Sequence, residues 1–431
     1  MQEAQRTARY GMDALLKTGA DKAQCTLTLT EKHEVNVDSG EFSLIRTTFD
    51  TSVDLTAVKD GRKGTETANK LDRGSLDEAA SEALDTAEAS QPDDANDIAE
   101  KQPPEGFSQG ADAPDLDKMH HRVRELLSTT RARFPKTILQ QVFLDFTKTT
   151  TVLVNSNGVD FESTKSAYHF DALFSSRDGE KVSSYNYSLF SMRDLDRPLV
   201  DCGSLEMLLR QSGEQTSTQP VEGKFVGDVV ITPDCLGYFL EFLIDSITDG
   251  AMISGTSAYK DSLGKAVASP LLSLHSHPVS DEICGGYFVT PDGYKARNCT
   301  IVDRGILRSY LLSLYGSKKT GNERAANAGG AWIVDKGDAS YEEMVKSVKR
   351  GILLARLSGG ATSVNGDFSG VAKNSYLIED GQIRYPISES MVSGNVAEIL
   401  KNIVAVSRER VDSGDCILPW VAVSGATISG K

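Results

Sequence analysis

The chain has 431 residues, a net charge of −15 and an isoelectric point near 5.0; the length supports about two or three domains, and the charge disfavours an electrostatic grip on DNA or an anionic membrane. Its six cysteines, Cys25, Cys202, Cys235, Cys284, Cys299 and Cys416, are dispersed without a C-x-x-C pair, against both a disulfide framework and a structural zinc knuckle. The N-terminal stretch lacks the apolar core of a signal peptide, and no window reaches the roughly 20 apolar residues that span a bilayer, so a cytoplasmic protein with no direct nucleic-acid or membrane partner is expected.

Residues 1–18 predict an amphipathic helix through Ala4, Ala8, Met12 and Leu15. Strand-like runs follow at Cys25–Thr30, Glu34–Asp38 and Phe49–Val58, with a hairpin turn at Lys59-Asp60-Gly61-Arg62. Ser75 and Glu78 have capping-box spacing ahead of Ala79, Ala80, Ala83, Leu84 and Ala87, predicting a helix laid on this sheet. Residues 91–118 hold four prolines and eight acidic residues, which predicts an exposed connector. A basic helix over His120–Arg133 leads into β-patterned runs at Val142–Asn155, Ser166–Ser176 and Lys181–Phe190. His120 and His121 are adjacent, point apart on a helix, and are not expected to share a metal.

A short helix at Leu205–Leu209 and a Ser/Thr/Pro/Gly linker at Thr216–Lys224 end an N-terminal α+β domain, placed at 1–220. The second domain, 221–431, opens with a strand at Gly227–Ile231 and an apolar helix, Leu236–Ile247, started by Pro233-Asp234. Runs at Tyr287–Val289, Ala296–Val302, Ile306–Leu314, Ser375–Ile378 and Ile383–Ile387, punctuated by Asp-Gly and Arg-Gly turns, make this half β-rich. Asn395 caps a last helix with Glu398 at its third position. The predicted fold is an α+β protein of two domains, the C-terminal one antiparallel and β-rich with helices packed on its sheets.

Two candidate sites follow from residue chemistry alone. Glu241 and Asp245, four apart, share a helical face and would form a paired-carboxylate site if that face lined a cleft; otherwise they are the solvated stripe of a buried helix. His275 and His277 project to one side of a strand, with Asp281, Glu282 and Cys284 nearby, a spacing open to metal ligation or to plain hydrogen bonding. Gly329-Gly330 and Ser358-Gly359-Gly360 lack the lysine and threonine order of a phosphate-binding loop, so neither ATP nor a dinucleotide is expected as cofactor.

An ordered set of segments carries a resemblance: Asp303 to Leu312, Tyr315 to Lys319, Asn327-Ala328-Gly329-Gly330, Asp367-Phe368-Ser369-Gly370, Tyr385 to Glu389 and Ser393-Gly394-Asn395. It resembles the TldD/PmbA family, also called modulator of DNA gyrase, and especially its PmbA (TldE) branch; Asp60, Gly61, Arg62 and Gly64 resemble a turn in the family's N-terminal domain. The resemblance implies a cytoplasmic peptidase complex of two related subunits, only the TldD-like one carrying zinc on an H-E-x-x-x-H helix. In this chain Glu241 stands at the first histidine of that motif, Phe242 at the glutamate and Ser246 at the last histidine, so no zinc and no catalytic residue are expected here. Cys416 lies in the broad region where zinc-bearing relatives carry a cysteine ligand and, without the histidines, reads as inert. Asn327, Gly329, Gly330, Asp367, Phe368 and Asn395 are implied at a substrate groove or subunit interface. The implied partners are a TldD-like zinc-bearing subunit or a second copy of this chain, with a peptide or unfolded protein as substrate. An autonomous hydrolase with a displaced site and a standalone peptide-binding homodimer are the alternatives.

Overall fold

The structure, a computed structural model, describes residues 2–431 and contains two sheets, one formed by strands within residues 22–192 and the other within 219–429. The first is built on long antiparallel strands, Lys22–Asp38, Glu41–Lys59, Thr137–Asn155 and Asp160–Asp178. Cys25–Thr30 and Glu34–Asp38, expected as separate runs, are one strand: Glu31, Lys32 and His33 break the apolar alternation but are laddered on both sides, His33 between Thr47 and Phe146.

Alternation gives this sheet two unlike faces. One presents Cys25, Leu27, Val35, Val37, Val142, Leu144 and Phe146 to two helix pairs. Gln2–Thr18 and Arg73–Ala89 cover one end, Leu116–Arg133 and Leu205–Glu214 the other. The opposite face carries Thr26, Thr28, Thr30, Thr147, Thr149, Thr151 and Lys165, and part of it meets the loop around residues 284–294 of the C-terminal half. The helix expected to be capped by Ser75 starts earlier: Asp72 is the cap, its carboxylate accepting from both the backbone N–H and the hydroxyl of Ser75.

Residues 91–118 are not an exposed connector. Ala95, Ile98 and Ala99 are buried, and Glu105–Gln109 adds a parallel edge strand to Asp160–Asp178. The acidic residues order the segment because cations of both halves meet them: Asp93 accepts from Ala95 N (2.9 Å), Tyr315 Oη (2.9 Å) and Lys319 Nζ (2.9 Å), and Asp97 pairs with Lys22 and Lys318. The Ala95 N–H, then Lys319 and Tyr315, hold Asp93 down to about 2; burial pushes Asp97 up, but its two lysines outweigh it and leave it below the usual range. Carboxylates depressed in the folded state contribute stability above their unfolded value near 4, and lose it as pH falls through the folded one. This clip is therefore expected to loosen between about pH 4 and pH 2. Protection from hydrogen exchange in residues 93–100 and 314–320, taken relative to the intrinsic rate at each pH, should fall over that window, with a shallower acid dependence in Asp93→Ala; identical profiles for both proteins would contradict it.

In the C-terminal half, Cys416–Ser429 runs antiparallel to Lys224–Ile231, Met391–Asn395 and Ile403–Asp412 and parallel to Trp332–Val334. Helices Pro233–Asp245 and Val396–Lys401 pack on this sheet and share its main core. The 216–224 stretch, expected as a linker, is tied in by pairing of Gln219 and Pro220 with Ile387 and Ser388, and Val221 is buried. Ile306–Leu314 is strand only at Ile306–Leu307; Ser313 then caps a helix, Leu314–Thr320, by accepting from Gly316 N. Tyr287 and Phe288 lie in a loop rather than a strand, with a lone bridge from Val289 to Lys295. Among the described residues no helix is long and apolar enough to cross a membrane.

Candidate functional site

Pro233 at the first turn, after the extended Thr232, starts the helix on which the family resemblance places the altered zinc motif. Its apolar stripe of Leu236, Phe239, Leu240, Phe242 and Leu243 is buried, while Glu241 and Asp245 lie on the exposed side as a solvated pair and line none of the clefts described here. Phe242 is 8 % exposed, its ring edge-on to Tyr259 with centroids 6.1 Å apart. Ser246 spends its hydroxyl on the carbonyl of Phe242 at 2.7 Å. The Asn365–Asn395 neighbourhood packs against the same helix: Phe368 stands edge-on to Phe239 at 5.5 Å, and Gly366 approaches Phe242 so closely that a Cβ would lie 3.1 Å from its ring. Asn395 caps Val396–Lys401 through Glu398 N (3.3 Å) and donates to Asn365 O (2.8 Å) and Asp367 Oδ1 (3.0 Å).

His275 and His277 do project together, with ring centroids 5.2 Å apart. Both nitrogens of His275 are engaged, Nδ1 with Thr300 Oγ1 at 2.9 Å and Nε2 with Asp335 at 3.3 Å, while burial and then His275 lower the pKa of His277. Among the described residues no three His, Cys, Asp or Glu side chains converge as metal ligands. Cys416 Sγ lies 3.2 Å from Ser413 Oγ, and burial raises its thiol pKa.

The loop Asn327–Gly330 acts as a tie. Buried Asn327 donates to Ser276 O (3.1 Å) and Arg297 O (2.8 Å), and its Oδ1 accepts from Ser276 Oγ (3.0 Å) and Gly329 N (2.9 Å). Gly329 and Gly330 both have positive φ, 82° and 77°, which glycine adopts without steric cost. The hydroxyl of Tyr287 donates to Gly329 O (2.8 Å) and accepts from Ala328 N (2.7 Å), so the tie fixes the loop that carries Tyr287.

That loop roofs a cleft of about 620 Å³ which the sequence did not disclose. Its floor is the threonine-rich sheet face, Thr26, Thr56, Thr147, Thr149 and Thr151 with Lys165 and His169; its roof is Cys284 to Pro291. The roof packs tightly onto its own half because Gly285 and Gly286 have no side chain: a Cβ there would fall 1.8 Å from Asp415 Oδ1 and 1.9 Å from Pro278 O. Lys165 donates to Gly286 O across the cleft, and burial pushes its pKa down to about 8. His169 Nδ1 meets Ser191 Oγ at 2.9 Å, and that hydroxyl reaches the Asp415 carboxylate at 3.1 Å, joining floor to roof. Burial pushes the Cys284 thiol up to about 11, so it is not a thiolate nucleophile at neutral pH. The alternation of threonines at 26, 28 and 30 and at 147, 149 and 151 was the available signal for a polar face; its roof lies more than a hundred residues away in sequence.

Residues 223–430 match the family model for the PmbA/TldA metallopeptidase C-terminal domain. The chain is 26 % identical to the metalloprotease PmbA of Escherichia coli O157:H7 over 94 % of its length and 93 % of the relative. It is also 26 % identical to a zinc metalloprotease TldD homolog of Saccharolobus solfataricus, over 55 % of each chain. The fold is that of TldE from Thermococcus kodakarensis, with a TM-score of 0.83 at 17 % identity, covering 99 % of this chain and 100 % of that one. Residues 223–430 are thus a PmbA/TldD-family C-terminal domain, and similarity to PmbA continues along nearly the whole chain.

Proposed function

We propose that this chain is a noncatalytic PmbA/TldE-like subunit of a TldD/TldE-type metallopeptidase complex, holding peptides or small unfolded proteins for a zinc-bearing partner. The observation that carries this reading is the state of the helix Pro233–Asp245. Phe242, where the motif needs a general base, is packed against Tyr259; Ser246, at a ligand position, bonds to its own helix; and Glu241 faces solvent. Zinc hydrolysis needs several converging ligands and an open coordination position, and these three side chains do not fit that group. The ordered Asn327–Gly330 tie, and the cleft under the 284–291 loop that it anchors, support a role in shaping a substrate surface.

The purified chain is expected to bind no stoichiometric zinc by elemental analysis and to cleave no unfolded peptide alone; hydrolysis should appear on adding a zinc-bearing TldD-like subunit, with which it should co-elute. About one zinc per chain, with hydrolysis lost in His275→Ala or His277→Ala, would overturn this in favour of an autonomous enzyme. A stable homodimer that ignores every TldD-like subunit offered would favour the standalone peptide binder. We place the complex in the cytoplasm.

A further inference from the structure

Lys165 is a half-buried lysine inside a cleft, and nothing in the proposed complex yet uses it. Its carbonyl bond to Gly286 occupies one of the three donors of an ammonium group. It makes no ion pair among the described residues; the Asp415 carboxylate, which accepts from the Ser191 hydroxyl, is near enough to favour the ammonium but does not offset its burial. Lys165 is also the one lysine or arginine among the residues lining this cleft. A cation held partly away from water without a carboxylate bonded to it costs free energy that an incoming anion would offset. With a pKa of about 8 it still carries its charge at neutral pH.

The shape of the space indicates what brings the anion. Lys165 pairs with Thr149, Thr149 with Thr30, and Thr26 lies four residues further along that strand, all on the polar face. With strands about 4.8 Å apart and about 3.3 Å per residue, Lys165 and Thr26 are separated by roughly 16 Å. Less the reach of the lysine, that leaves room for an extended segment of about three or four residues. The cleft volume of about 620 Å³ falls within the usual range for small-ligand sites. Its walls alternate threonine hydroxyls with Leu153, Ala167, Phe288 and Val289, offering hydrogen bonds to a backbone and apolar surface to small side chains.

We propose that the cleft between the threonine-rich sheet face and the 284–291 loop binds the C-terminal end of a short extended peptide, its terminal carboxylate paired with the ammonium of Lys165. This deepens the substrate-holding part of the proposed function and rests on that reading. The cleft thereby selects free carboxyl ends over mid-chain segments, because an amide end leaves Lys165 unpaired after losing its water.

The test uses the intact chain and a fluorescent tetrapeptide of alanine, valine and leucine, made as the free acid and as the C-terminal amide. Titration followed by anisotropy should show the acid binding at least about tenfold more tightly, as one charge-assisted contact implies. Lys165→Met should erase the difference while keeping the thermal midpoint, and Lys165→Arg should retain most of it. Equal affinity for acid and amide, no binding of either, or a preference unchanged in Lys165→Met would each overturn the proposal. The subunit reading is scored separately: if the reconstituted complex cleaves unfolded protein while Lys165→Met and wild type show no acid preference, the subunit reading stands and the carboxylate cleft falls.

Discussion

Gly64→Val is expected to destabilise the N-terminal half by about 3 kcal/mol or more, with the loss visible in a denaturant melt. Gly64 lies within the strand Arg62–Ala68, paired with Ala57, at ordinary strand angles. Its role is closeness: a Cβ would sit 2.1 Å from Ala83 O and 2.3 Å from Ala87 N, both backbone atoms of the helix Arg73–Ala89. That helix buries Ala79, Ala80, Ala83 and Ala87 against the sheet, small residues that bring its axis in until only hydrogen fits beneath it. A valine must push the whole helix out, opening the core it shares with Leu15, Leu27 and Leu55. Gly237→Ala is the contrasting substitution. It lies on the exposed side of the helix Pro233–Asp245 with nothing within 4 Å of the added Cβ, so stability should rise by about 0.5–1 kcal/mol. Equal tolerance of both changes would mean that helix and strand do not approach as described.

Gly64 also shows how far the sequence could be read. It was legible as part of an Asp-Gly-Arg-x-Gly element, and the turn itself was read correctly: Asp60 and Gly61 both have positive φ, 49° and 70°, as do Arg304-Gly305 and Asp380-Gly381. Such turns are local, set by which residues tolerate left-handed angles, so two neighbouring residues suffice to announce them. The cap at Asn395 and the start at Pro233 were legible for the same reason. What Gly64 touches is set by a helix about twenty residues away, and no local pattern records it. The acidic 91–118 segment misled in the same manner: its composition resembles that of a disordered stretch until Lys22, Lys318 and Lys319 arrive to neutralise it. Within the candidate site, the close approach of Phe242 to Gly366 and the roofing of Lys165 by Gly286 both join distant segments. The sequence indicated the residue types at these points and not their encounters.

Asn327→Ala is expected to cost about 3 kcal/mol and to loosen the cleft roof as well. The side chain is 2 % exposed and satisfies two carbonyls, Ser276 O and Arg297 O, together with the Gly329 N–H and the Ser276 hydroxyl. The Ser276 hydroxyl keeps Gly330 O at 2.7 Å, but truncation leaves the two carbonyls and the Gly329 N–H facing a small cavity without the bonds Asn327 gave them, and each buried polar group so stranded costs about 1–3 kcal/mol. Water entering the cavity would recover part of that, which keeps the expected total below the simple sum. The second consequence follows from Tyr287, whose hydroxyl is fixed by Gly329 O and Ala328 N in the same loop. Once the loop loses its register, the tyrosine loses both partners, and the 284–291 roof loses its anchor on that side. Tyr287→Phe should therefore cost only about 1 kcal/mol alone, and less when added to Asn327→Ala, because the bonds it removes are already broken. Denaturant midpoints for the two single variants and the double variant measure this coupling directly. Costs that add without coupling would show that tie and roof are held independently, and an Asn327→Ala loss below about 1 kcal/mol would show that the network does not hold the loop at all.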